Sequence, residues 1–213
     1  MTFYIDARQR DSYASLGSSL EKCIQKYEGR WTELIFICIG TDRITGDSLG
    51  PYVGYRLSGC PMLHRQIYGT LTHPIHALNL QRAMDEITRR HPNGLYVAID
   101  ASLGTKKHLG FVTVSNGALH PGAGVQKDLP PVGHIAITGI VGASGWMEHL
   151  ALQTTRLSTV VNMADMITKG ILYTLFLLGY NLPTEDFCGP LPPPELNANF
   201  CGAVAAFTDE EPR

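Results

Sequence analysis

Charge is what this sequence has least of. Charged residues fill 17% of its 213 positions, against about 25% in an average soluble domain. With 44% apolar residues, that balance excludes an extended, self-repelling chain. Neither sign dominates: 17 Lys and Arg stand against 19 Asp and Glu, a net charge of −2. No basic stripe with interleaved aromatics appears, so no nucleic-acid partner is expected. The five cysteines, at 23, 38, 60, 188 and 201, are odd in number, scattered and free of CxxC spacing. That excludes a zinc ribbon and argues against a disulfide framework. Cys38 lies in an apolar run and reads as a buried thiol. The most apolar stretch, residues 170–182, falls short of the about 20 residues that span a bilayer. The opening MTFYIDARQRD is polar, unlike a signal peptide. A soluble, cytosolic protein with no membrane partner is expected. HExxH, the P-loop and GxGxxG are absent too, leaving zincin and nucleotide chemistry without their usual signatures.

What is present is an alternation of apolar runs and amphipathic stretches. Residues 11–27 place Leu16, Leu20, Cys23, Ile24 and Tyr27 on one helical face. Residues 34–39 read as a buried strand, followed by a polar loop and then a helix marked by Leu49, Val53 and Leu57. Gly50 and Gly54 in that helix predict close packing on a strand. A short strand is expected over 65–70, a helix over 76–90 and a continuously apolar strand over 95–99. Further strands follow at 109–115 and 134–141. Between them lies a loop, residues 116–133, rich in glycine and proline and long enough to suggest function. A short helix is expected near residue 145 and a long one over 158–178, with Val161, Ala164, Ile167, Ile171, Leu172, Leu175 and Leu178 inward. The pattern predicts one α/β domain of three layers around a mixed, mostly parallel sheet, with a proline-rich tail over 183–213.

Two carboxylates stand out. Asp47 closes the loop after one apolar strand, and Asp100 ends another. Each alone reads as an ordinary cap or loop-ordering group. Together they fall at the same edge of one sheet, where open α/β folds place their sites. Two close carboxyls cannot both ionise easily, which suits acid–base chemistry; they could equally bind a divalent ion. Asp42, in the same loop, reads as a solvated neighbour and a candidate site-lining residue. Among the eight histidines, His120 sits in the glycine and proline loop and could line the site or join a metal set of Asp47, Asp100 and His120.

GTDRITGDSLGP, VAID and ALHPGAGV resemble the YyaC-type group of sporulation proteins. That group is similar to the germination protease of spore-forming bacteria and, more distantly, to hydrogenase maturation proteases. The resemblance covers residues 34–141. It implies a phosphorylase/hydrolase-like α/β fold and an atypical aspartic endopeptidase with Asp47 and Asp100 as catalytic residues. It further implies protein or peptide substrates such as small acid-soluble spore proteins, no cofactor, and a place in the forespore or spore interior, with a homo-oligomer as a candidate state. Two alternatives accompany it: a maturation-type peptidase holding a metal on Asp47, Asp100 and His120, and a non-catalytic binding protein on the same fold. The chain departs from both comparators. It is shorter than the germination protease, so zymogen control is not carried over. It also reads GTD where maturation proteases have GxGN, so nickel recognition is not carried over.

Overall fold

The computed structural model describes residues 1–63, 65–122, 129–145 and 147–180. The expected tail, with Cys188 and Cys201, lies outside the described residues. In chain order the elements are β1 (Thr2–Asp6), α1 (Ser12–Gln25), β2 (Glu33–Cys38), α2 (Leu49–Ser58), β3 (Ile67–Tyr68), α3 (Leu80–Arg90), β4 (Gly94–Gly104), β5 (Phe111–Asn116), β6 (Ile135–Ala143), α4 (Glu148–Gln153) and α5 (Leu157–Leu177).

The strands form a six-stranded sheet in the order β1-β5-β6-β4-β2-β3. Strands β6, β4, β2 and β3 run parallel, and β5 lies antiparallel to both β6 and β1. The fold is therefore α/β with a mixed, mostly parallel sheet, as the alternation predicts. Strand β1 is an addition. By pattern its residues read as a polar opening, because only Ile5 is buried in this edge strand.

Both sheet faces are covered. Leu34, Phe36 and Cys38 of β2 join a core with residues of α1, α2 and α5. Ile35, Ile37 and Ile39 join a second core with Leu80 and Ile87 of α3. A strand buried on both sides needs apolar residues at every position, hence the unbroken run. The expected packing glycines have a direct steric cause. A Cβ at position 50 would stand 2.1 Å from the Ile39 carbonyl oxygen, and one at 54 would stand 1.9 Å from that of Gly69. Each glycine costs about 1 kcal/mol of helix propensity relative to alanine. In return α2 sits directly on the strand ends and holds the preceding turn over them.

Helix α5 is the longest, at 21 residues. By length and composition it meets the requirement for crossing a bilayer, although 67% of its apolar window is buried inside the protein. It packs on α1 through a close glycine contact: a Cβ on Gly170 would lie 2.5 Å from Leu16 Cδ2.

Candidate active site

The chain leaves β2 through α2 to reach β3 on one side of it. It then returns through α3, on the opposite sheet face, to β4 on the other side. From their C-terminal ends the chain leaves β2 toward β3 and leaves β4 toward β5 and β6 on the opposite side, and these diverging connections open a crevice between the two strands. The last ladder contact on this side is the Ile39 N–H donating to the Ile99 carbonyl at 2.7 Å. Strand β4 does not stop there. It continues to Gly104, paired only with β6, and Asp100 lies opposite Thr138. Asp100 is thus not at a strand end, as the sequence suggested, but at the position where β2 has just departed.

Asp47 reaches the crevice from the other side. It lies in a single 3-10 turn, Gly46–Ser48, directly before α2. Neither the turn nor α2 is capped by a side-chain hydrogen bond, so the ordinary capping role does not account for it. The loop from Gly40 to this turn is tight. Gly40 has φ +136°, and its missing Cβ would meet the Asp47 carbonyl oxygen at 2.0 Å.

Asp47 and Asp100 line one cavity of about 270 Å³. Its apolar wall includes Ile44, Leu78, Leu129 and Leu152, and Arg43 supplies a cation. Asp100 is 7% exposed. Burial raises its pKa well above the ordinary carboxylate value, and the Asp47 charge raises it further. The Ala101 N–H, donating to its Oδ1 at 2.8 Å, only partly opposes this. Burial raises Asp47 as well, opposed by the Thr41 backbone N–H and by His76 and His149. The two carboxyls therefore interact. Asp100, the more deeply buried and facing the Asp47 charge, is pushed up further than Asp47, which has histidines near it.

His120 and Asp42 are both exposed, and neither is among the residues that line the cavity. The loop that carries His120 does reach the site, through Pro121, Gly122 and Leu129. It is closed at its base by paired Leu119 and Val132 backbone hydrogen bonds of 2.8 Å each; residues 123–128 lie outside the described set. The histidines that face Asp47 are His76 and His149, which by sequence pattern alone read as ordinary surface or structural histidines. Their shared signal was position. Ile75 bridges to Ile39 beside β2, and α4 follows β6, so both histidines come after segments that end at the same sheet edge as Asp47.

A metal fits poorly here. Among the described residues, no group of three or more His, Cys, Asp or Glu is arranged to hold one. His76 Nδ1 is already engaged, accepting the Leu78 N–H at 3.3 Å.

The chain is 46% identical over 159 residues to a Bacillus subtilis (strain 168) protein named "Uncharacterized protein YyaC", covering 75% of each. Among solved structures, the NiFe hydrogenase maturation protease HycI from Thermococcus kodakarensis KOD1 aligns with a TM-score of 0.44. It shares 16% identity, over 72% of this chain and 98% of that one. A family model described as "Protein of unknown function (DUF1256)" matches residues 4–170, and with most of its length so matched the chain belongs to that family.

Proposed function

We propose that this protein is a peptide hydrolase in which Asp47 and Asp100 act as a coupled acid–base pair. The observation that carries the reading is the pair itself. A buried carboxyl, its pKa raised by burial and by Asp47, lines one cavity with a second carboxyl at the switch point of the sheet. Burying two acids together is costly unless the arrangement serves chemistry.

The roles follow from the two environments. Asp47, which ionises first, takes a proton from water as that water attacks the peptide carbonyl carbon. Asp100 gives its proton to the carbonyl oxygen, which forms a neutral tetrahedral gem-diol. Collapse breaks the C–N bond. The proton on Asp47 goes to the leaving amine, and a gem-diol hydroxyl returns its proton to Asp100 as the carboxylic acid forms. His76 and His149 help to keep Asp47 ionised. The substrates would be protein chains, with small acid-soluble spore proteins first among them, and the setting would be the forespore or spore interior. His120 and Asp42 have no assigned part in this scheme.

The test is cleavage of purified small acid-soluble spore proteins by the wild type and by Asp47→Asn and Asp100→Asn separately. Loss of cleavage in both variants, with each still folded, is the expected result. Full activity in either contradicts the mechanism.

A further inference from the structure

A second, larger hollow lies next to the carboxyl cavity. It has a volume of about 630 Å³ and runs between strand β3 and helix α3. One wall is Ile67, Tyr68 and Gly69; the other is Ala83, Glu86 and Ile87, which are three and four apart and so share a helix face. Among the described residues, strand β3 is the last strand of the sheet on this side. The Phe36 N–H of β2 donates to the Gln66 carbonyl at 2.8 Å, with Phe36 opposite Ile67. In a parallel ladder, alternate residues turn both backbone groups to the same side. Gln66 and Tyr68 therefore face β2, and Ile67 directs its N–H and C=O outward, toward open edge. An unpaired edge beside a helix is the geometry by which extended peptides add to a sheet.

Two further observations support a built groove. Tyr68 is fixed: its hydroxyl lies 2.7 Å from His91 Nε2, and His91 Nδ1 lies 2.8 Å from Glu33 Oε1. The groove wall is thus preorganised from beneath. The groove also leads to the carboxyls. Ile75 carries the sheet edge onward beside Ile39, and the next residue, His76, lines both the groove and the carboxyl cavity.

We propose that this groove takes an extended segment of the substrate chain, added as a further strand on the edge of β3 and leading past His76 to Asp47 and Asp100. This rests on the peptide-hydrolase reading for its direction, and on the edge and groove alone for the binding mode. The substrate must then be locally unfolded, with at least one apolar side chain to lie against Ile67, Ala83 and Ile87.

The experiment uses full-length Asp100→Asn protein and overlapping peptides of about fifteen residues, long enough to fill an edge groove. The peptides come from a small acid-soluble spore protein and from casein, an unrelated extended chain. Binding is expected to slow amide hydrogen exchange over residues 67–70. Glu86→Trp, which fills the groove from an exposed helix position, should weaken binding about tenfold, and Arg82→Trp, at an exposed position of the same helix outside the groove, should leave it intact. In the active protein, Glu86→Trp should lower kcat/KM for long peptides while sparing short ones that occupy the carboxyl cavity only. The proposal is overturned if no peptide binds, if exchange at 67–70 is unchanged on binding, or if Glu86→Trp binds normally. Protection that appears with protein concentration alone also overturns it, in favour of a second copy on this edge. Groove binding without wild-type cleavage strikes the aspartate mechanism and leaves the groove standing.

Discussion

The two ends of β2 treat acidic side chains in opposite ways. At its start, Glu33 is given a partner: its carboxylate meets His91, and His91 meets Tyr68. Each polar group in that chain has a neighbour of complementary character. Beyond its other end, Asp100 is buried with a second carboxyl for company, and one backbone N–H is the hydrogen bond its side chain receives. A satisfied network stiffens a fold. A like-charge pair raises the free energy of the folded state and persists where its reactivity is used. Strand β2 therefore runs from a structural polar cluster at its start to the crevice beyond its other end, where Asp47 and Asp100 line one cavity.

That contrast can be broken from either end. The largest effect expected is on turnover. Asp47→Asn and Asp100→Asn should each lower kcat by about 10²–10⁴, the usual worth of a positioned acid or base, as measured by peptide cleavage. At the other end, His91→Ala should leave kcat near its wild-type value and cost stability instead. It strands the Glu33 carboxylate and the Tyr68 hydroxyl, at about 1–3 kcal/mol, or about 2–4 °C in Tm per kcal/mol, read by thermal denaturation.

A smaller effect has the opposite sign. Asp100 has a folded-state pKa above its unfolded value, so it binds its proton more tightly when folded. Its favourable contribution is complete below the unfolded carboxylate range and is lost as pH rises through the folded value. Asp100→Asn should therefore raise Tm at neutral pH, by about 0.5–2 kcal/mol of added stability, with the gain fading as pH falls toward the ordinary aspartate range. The smallest effect concerns His76, which lowers the Asp47 pKa. His76→Ala should move the acidic limb of the kcat/KM profile to higher pH and leave the basic limb in place.

Much of this was legible in the residues. Unbroken apolar runs at 34–39 and 95–99 announce a sheet covered on both faces, and Gly50 and Gly54 announce the close seat of α2. Asp47 and Asp100 could be paired because each follows such a run. Other features depended on tertiary context. Strand β1 buries one residue, Ile5, too little to mark a strand by pattern. The inward face of α5 begins at Val160 rather than Val161, because a helix buried on several sides carries apolar residues around most of its circumference. His120 drew attention through its unusual loop, yet the side chains facing Asp47 are His76 and His149, delivered by a one-residue bridge at Ile75 and by the short helix α4. Such placements come from chain returns that leave no periodicity.

The most direct measurement is a carbon-13 NMR titration of the aspartate carboxyls in the wild type and in Asp47→Asn. We expect Asp100 to titrate well above the usual value of about 3.9 and to move down when Asp47 becomes neutral. An Asp100 that titrates in the ordinary range, or one that ignores the loss of Asp47, would contradict the coupled pair on which the functional reading stands.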